Sequence, residues 1–229
     1  TPEAFELNLL IVNENGFSPV QLPGTTVNVT KAQLNLDFDR TQSQAVSLAA
    51  EIDRVVTEGI VINALKLMSN GVLSPSADTA LTAQLSLEAL GLSAPNDAGI
   101  TSAFGGDTRL TSNLTAQSFS EFSLQDLRLS GPNGTATGEF EIAPRKDQLI
   151  STASLETDIP ELASFAELAG LSLDGALNAS LDVSAEVPGG SLAVSLSGRS
   201  QDLDIGVPQL TPVLSPPTEL ALQFSRDEN

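Results

Sequence analysis

The stretch Leu177-Asn-Ala-Ser-Leu-Asp-Val-Ser-Ala185 decides the fold class, because apolar and polar residues alternate along it without a break. Successive side chains of a β-strand point to opposite faces, so this period of two predicts a strand with one apolar and one solvated face. The same alternation recurs in runs that begin at Leu34, Val46, Leu81, Leu110, Leu127, Phe140, Leu192 and Leu220, and in the run Leu203, Ile205 and Val207. We therefore predict an all-β protein.

Short stretches of turn-forming residues separate these runs. They lie at Ser69-Asn-Gly71, Ala94-Pro-Asn-Asp97, Gly131-Pro-Asn-Gly134 and Val187-Pro-Gly-Gly190. Links this short join neighbouring antiparallel strands, whereas parallel strands need long crossover connections. The pattern predicts an elongated antiparallel sheet of about a dozen strands. Since one face of that sheet is aliphatic, it must be covered by a second sheet, covered by a ligand, or curled into an open groove.

One segment departs from the period of two. Leu162, Phe165 and Leu168 are three positions apart, which is typical of a helix. A proline suits the first turn of such a helix, and Gly170 is a natural C-cap. The sequence predicts a single short helix near residues 159–169.

Composition excludes several classes of function. The chain has 229 residues, with 10 Lys and Arg against 29 Asp and Glu, a net charge of −19, and no His, Cys, Trp or Tyr. Without His or Cys there is no Ser-His or Cys-His nucleophile, no imidazole or thiolate metal site and no disulfide. The acidic balance argues against binding to a phosphate backbone. We expect no enzymatic activity, no cofactor and no nucleic-acid partner.

Two Asp-x-Asp pairs are candidates for a metal site. Asp37 with Asp39, and Asp202 with Asp204, would each place two carboxylates on one strand face, where Ca²⁺ could bind. The pairs lack the glycine and the bidentate glutamate of an EF-hand loop. The favoured interpretation is a solvated acidic face, and no metal site is predicted.

The organisation of the chain is predicted to be a single elongated segment over residues 1–229, cut from a longer protein, because the chain starts without Met and soon becomes apolar. No apolar run reaches the roughly 18 residues that a membrane-spanning helix needs. With an offset of 110, Thr108 aligns with Thr218 and Leu110 with Leu220, which indicates two repeats, about 1–115 and 116–229. Alternating sequences also match themselves at any even offset, so both interpretations stay open.

The last third of the chain carries a more specific pattern. The predicted helix leads into Gly170-Leu-Ser-Leu-Asp-Gly-Ala-Leu177, and then come Gln201-Asp-Leu-Asp-Ile-Gly206, Leu210-Thr-Pro-Val-Leu214 and Leu220-Ala-Leu-Gln-Phe-Ser-Arg-Asp227. This order resembles the repeat pattern of the TamB family, within the AsmA-like superfamily. The segments 58–67 and 127–134 are also similar to that family. The resemblance covers most of the chain and is strongest after residue 155.

The resemblance implies a location and partners. It implies a periplasmic protein, anchored in the inner membrane through a segment outside this chain, whose long sheet curls into an open, taco-like apolar groove. The groove would carry phospholipid acyl chains between the inner and outer membranes and support the assembly of outer-membrane proteins. The other implied partner is a TamA-like outer-membrane protein of the Omp85 type, bound through a C-terminal region that this chain lacks.

The expected lining of the groove is the set of aliphatic residues that lie in phase along the alternating runs. These residues are Leu34, Leu36, Val46, Leu48, Leu81, Leu85, Leu177, Leu181, Val183, Leu192, Val194, Leu196, Leu220 and Leu222. In the alternative interpretation they seal the dry core of a secreted, acidic β-repeat protein with a structural or adhesive role. Aromatic residues are only 4% of the chain, which favours a groove, since closed cores recruit large aromatics to fill volume.

Overall fold

The computed structural model describes residues 4–12, 19–21, 26–39, 44–57, 59–74, 80–118, 120–145, 148–187 and 190–226. These residues form one open, curled antiparallel sheet. The prediction of an all-β, elongated and curled antiparallel sheet with an open apolar groove is confirmed. Among the described residues, no helix is long and apolar enough to cross a membrane.

The strands are listed here in chain order. They are β1 (Ala4–Val12), β2 (Val20–Gln21), β3 (Asn28–Asp39), β4 (Ala45–Val56), β5 (Val61–Leu73), β6 (Leu81–Leu92), β7 (Gly106–Ser118), β8 (Glu121–Gly131), β9 (Gly134–Arg145), β10 (Gln148–Ile159), β11 (Asp174–Val187), β12 (Leu192–Asp204) and β13 (Thr218–Arg226).

The strands follow one another across the sheet in nearly the order of the chain. The path runs from β1 to β3 and then through every strand in turn to β13, while β2 pairs with β3 beyond the end of β1. Every pairing is antiparallel, as the short links predicted. Twelve strands at about 4.8 Å spacing give a face on the order of 50 Å across the strands. The proposed repeat boundary at residues 115 and 116 falls inside β7, and the two repeats stay a prediction.

The predicted helix is present but begins later than expected. A 3₁₀ turn over Leu162–Phe165 runs into helix α2, Ala166–Ala169, because β10 continues to Ile159. Gly170 is the C-cap in the left-handed conformation, with φ of 65°, as predicted.

The expectation of a single helix is wrong, since α1 (Ala98–Phe104) and α3 (Thr211–Leu214) also form. Asp97, which the sequence placed in a turn, caps α1 by accepting a hydrogen bond from the Ile100 amide at 2.9 Å. The three helical segments all connect strands at one end of the sheet, which we call the helical end.

Two further local expectations are wrong. Ile205 and Val207 do not continue β12, which ends at Asp204; the Asp204 carboxylate accepts a hydrogen bond from the Gly206 amide at 2.8 Å and so stabilises a turn. Ser69-Asn-Gly71 is not a turn but part of β5. The turn at Gly131-Pro-Asn-Gly134 is confirmed as the link between β8 and β9, whereas residues 188 and 189 of the last predicted turn lie outside the described residues.

Bulges keep the apolar residues in phase where the sequence alternation slips. In β8, Leu124 pairs with Phe140 but Leu127 pairs with Gly138, so one extra residue is accommodated, and Asp126 takes a positive φ of 50°. A bulge adds one residue without changing the partner strand. Leu127 and Leu129 therefore stay on the same face as Leu124.

Candidate functional site

Three rows of side chains cross the apolar face of the sheet from one edge to the other. Residues that pair directly across antiparallel strands lie on the same face, so the register defines each row. Row 1 consists of Phe5, Phe38, Val46, Gly71, Ala83, Leu114, Leu124, Phe140, Ala153, Val183, Val194 and Phe224.

Rows 2 and 3 lie two and four residues along each strand from row 1, except in β8, where the bulge makes these distances three and five residues. Row 2 consists of Leu7, Leu36, Leu48, Ser69, Leu85 and Ser112, then, after the β8 bulge, Leu127, Gly138, Leu155, Leu181, Leu196 and Leu222. Row 3 consists of Leu9, Leu34, Ala50, Leu67, Leu87, Leu110, Leu129, Ala136, Thr157, Ala179, Gly198 and Leu220. None of the described residues in these rows is charged.

All fourteen residues of the expected lining lie on this face. Eleven of them belong to the three rows. Leu81 and Leu192 lie one step beyond row 1, paired with Ala116 and Ala185, and Leu177 lies one step beyond row 3, paired with Ile159. The structure therefore brings the predicted residues together as one surface, and their role in binding lipid stays a proposal.

The apolar face is the more enclosed of the two faces, as residues of the same type show. In β10, Ser151 and Thr157 on the apolar face are half-buried, whereas Thr152 and Ser154 on the polar face are exposed. Ala179, on the apolar face, is only 4% exposed. A one-layer sheet that curls toward its apolar side crowds the side chains on that side.

The polar face carries the charges, and its side chains pair across strands. Ser154 donates to the Asp182 carboxylate at 2.7 Å and Ser180 to the Glu156 carboxylate at 2.8 Å. Among the described residues, two ion pairs lie on this face, between Arg109 and Glu88 at 3.5 Å and between Arg199 and Glu219 at 3.7 Å. These contacts keep the acidic groups in water, away from the three rows.

A cavity of about 900 Å³ spans β8 to β13. On each of the six strands it is lined by a row 1 residue and the two residues that flank it, so polar side chains such as Glu139 and Asp182 contribute to its wall. Val183 and Val194 are the expected lining residues found there, and the leucines of row 2 are not part of it. The cavity is thus a mixed polar and apolar feature, distinct from the leucine-rich part of the face.

The Asp-x-Asp pairs are engaged in local contacts. Asp37 accepts a hydrogen bond from Ser47 at 3.4 Å, and Asp204 accepts from Thr211 at 3.3 Å as well as from the Gly206 amide. Asp202 sits at a bulge of β12 with a φ of 52°, so it does not share a regular strand face with Asp204. Within the described ranges, no group of three or more carboxylates is arranged to hold a metal ion.

The sequence analysis missed parts of the face that the structure supplies. Strands β1, β5 and β10 were not among the alternating runs, although Leu7, Leu9, Leu67 and Leu155 extend rows 2 and 3. The same period of two marks β1, where it could have been found. In β10 the signal is weak because Ser151 and Thr157 occupy apolar-face positions.

Comparison of the chain with family models, with curated proteins and with solved structures gave no match. These comparisons assign no family, so the functional conclusion depends on the geometry of the face and on the pattern of the sequence.

Proposed function

We propose that this chain is a segment of a TamB-like periplasmic protein, whose apolar face carries phospholipid acyl chains between the inner and outer membranes and supports the assembly of outer-membrane proteins. The observation that carries the proposal is the continuity of the three rows, which cross all twelve strands of the path without a charged residue among the described positions. A continuous aliphatic surface without charged side chains is suited to bind an apolar ligand such as an acyl chain.

The energetics favour acyl chains that slide along the face. Each methylene moved from water onto an aliphatic surface gains about 0.8 kcal/mol, so one lipid tail can be held without a specific site. Side chains such as Leu34, Leu181 and Leu196 offer no hydrogen bonds that would fix a head group in one place. Because the rows repeat the same chemistry from strand to strand, an acyl chain has a similar free energy of binding at neighbouring positions.

The partners and location follow the resemblance. The chain would act in the periplasm, with its inner-membrane anchor and its contact to a TamA-like Omp85 protein supplied by segments outside residues 1–229. The acidic polar face keeps the carrier in water and away from anionic bilayers, while the apolar face holds the lipid.

The test is site-specific photocrosslinking in the full-length protein, in a host with two membranes. The probe is placed in turn at Leu181, Val183 and Leu196 on the apolar face, and at Asp182 and Ser195 on the polar face, as matched neighbours. We expect phospholipid adducts at the three apolar-face positions and none at the other two.

Equal labelling of both faces, or no labelling, would overturn the proposal. The chain would then be a secreted, acidic β-repeat domain with a structural or adhesive role, in which the same rows form a sealed core. The leucines in the rows are half-buried or exposed, which supports the open form, because a sealed core would leave such side chains almost fully buried.

A further inference from the structure

Two long links at the helical end meet each other across the strands between them. Antiparallel neighbours need only a short link, and residues 132 and 133 suffice between β8 and β9. By contrast, residues 93–105 link β6 to β7 and contain α1, while residues 160–173 link β10 to β11 and contain the 3₁₀ turn and α2. α1 contacts both the 3₁₀ turn and α2. We call these three segments together the helix platform.

Specific contacts hold the helix platform in one arrangement. The rings of Phe104 and Phe165 meet edge to face, with their centroids 5.8 Å apart. A Cβ added at Gly99 would lie 2.8 Å from the Leu168 amide nitrogen, so α1 approaches the backbone of α2 closely. The Asn133 side chain, in the link between β8 and β9, donates to two carbonyls at the end of α1 at 2.6 and 3.0 Å. The helix platform is therefore a defined surface.

Large apolar side chains on the helix platform and directly after it are exposed. Phe104 is 50% exposed, Leu168 46% and Leu171 55%. Leu171 folds back beside α2, because its amide donates to the Ala166 carbonyl at 3.1 Å. The three side chains lie on links between β6 and β11, and described strands continue the sheet on both sides of this part. Strands added beyond β1 or β13 would leave β6 to β11 with the same neighbours.

The charged side chains around these three residues are all acidic. The segments 92–108 and 158–176 contain no Lys or Arg and carry six exposed carboxylates. These are Asp97, Asp107, Asp158, Glu161, Glu167 and Asp174. The ion pairs of the described residues, at Glu88 and at Glu219, involve none of the six.

We propose that the helix platform docks a basic, amphipathic segment of another protein. Apolar side chains of that segment would cover Phe104, Leu168 and Leu171, and its Lys or Arg side chains would pair with carboxylates such as Glu161 and Glu167. Exposed apolar residues rimmed by polar groups mark interaction sites, and complementary charge selects the partner. An anionic bilayer would be repelled by the same carboxylates, so the surface fits a cationic protein segment rather than a membrane.

The experiment measures the binding of two fluorescent peptides to the purified chain by anisotropy. The first peptide is an amphipathic helix of leucine and lysine. The second has the same lysines, with serine in place of every leucine, so it keeps the charge and loses the apolar side. We expect the first peptide to bind about tenfold more tightly than the second, and its affinity to fall as salt is added.

The first pair of variants tests the apolar contact. Leu171→Ser removes an exposed apolar side chain beside α2 and should weaken the binding of the leucine and lysine peptide about tenfold. Met68→Ser removes a side chain that is equally exposed, at 51%, on β5, and should leave the binding unchanged. Urea unfolding of both variants checks that they fold as the unmodified chain does.

The second pair of variants tests the charges, with the net charge matched. Glu161→Gln combined with Glu167→Gln removes two carboxylates near the apolar residues and should weaken binding about fivefold. Glu139→Gln combined with Glu141→Gln removes two exposed carboxylates from β9 and should weaken it less than about twofold, because general attraction to an acidic chain falls equally in both.

Three results would overturn the inference. The first is no binding of the leucine and lysine peptide, and the second is an equal loss of affinity in the two members of either pair. The third is a photoreactive form of the peptide that labels the rows, at Leu181 or Leu196, and not the helix platform. The inference does not depend on lipid binding, so it can fail while the proposed function stands.

Discussion

Row 3 of the apolar face carries larger side chains in the first half of the sheet than in the second. In the first half, β3 to β7, row 3 is built mainly of leucine: Leu34, Leu67, Leu87 and Leu110. In the second half, β9 to β12, the same row holds Ala136, Thr157, Ala179 and Gly198. Along row 3 the uncharged pattern is thus kept while the side chains become smaller. A continuous apolar face determines where an apolar ligand can bind. The size of the side chains on that face determines how closely the ligand approaches the backbone of the sheet.

The largest effect is expected at Gly138 in β9, where the backbone of β10 approaches closely. A Cβ added at Gly138 would run into the carbonyl oxygen of Ser154 on β10, and the Ser154 carbonyl carbon would be 2.9 Å away. Since backbone cannot move aside as a side chain can, Gly138→Ala should lower the free energy of unfolding by about 2–3 kcal/mol. Urea unfolding of the variant and of the unmodified chain measures this loss of free energy.

The first half offers a comparison and the chain offers a control. A Cβ at Gly71 in β5 would meet the Thr82 carbonyl oxygen and approach the Ala83 Cβ at 2.6 Å, so Gly71→Ala should cost a similar amount. Gly59 has open space around it, and Gly59→Ala should leave the unfolding midpoint unchanged. If the Gly138→Ala protein is as stable as the Gly59→Ala control, the sheet does not depend on the close approach of Gly138 to the Ser154 backbone.

A smaller effect is expected from truncating row 3. Leu110→Ala in the first half removes a half-buried leucine and should destabilise the protein by about 1–2 kcal/mol. Thr157→Ala in the second half removes little apolar surface and one hydrogen bond to the Ala179 carbonyl at 3.0 Å, so its cost should stay under about 1 kcal/mol. Thermal and urea unfolding of the two variants should rank them in that order. The reverse order would contradict the view that the first half depends on leucine packing.

The smallest effect concerns the ion pairs on the polar face. Arg109 in the first half faces Glu88, which is 31% exposed, whereas Arg199 in the second half faces Glu219, which is 87% exposed. Exposed pairs contribute about 0–1 kcal/mol. We expect Arg109→Gln to cost a few tenths of a kcal/mol and Arg199→Gln to have no measurable effect. Raising the salt concentration should remove the difference; a difference that persists in salt would show that Arg109 acts through packing.

The sequence predicted the strands and the face because both depend on a period that is local. Leu34, Leu181 and Leu196 are assigned to one face by their neighbours two residues away, with no knowledge of the partner strand. The register between strands, by contrast, is not local. It places Leu34 opposite Ala50 and Leu181 opposite Leu196, and so turns separate runs into rows.

The errors have the same physical origin. Ser69-Asn-Gly71 has the composition of a turn, yet Gly71 serves a close approach to Ala83 on the next strand, which local sequence does not reveal. Helix α1 was missed because its cap, Asp97, is also a turn former. The run ending at Val207 was extended too far because a hydrophobic alternation continues after Asp204, where the backbone turns.

The bulge at Asp126 has a consequence for how such a chain can change over time. Without it, one inserted residue in β8 would send Leu127 and Leu129 to the polar face and bring Asp126 and Arg128 into the rows. Because a single residue in a left-handed conformation absorbs the insertion, the twelve-strand face survives a change in strand length. A chain built this way can gain or lose single residues in its strands while its apolar surface stays in one piece.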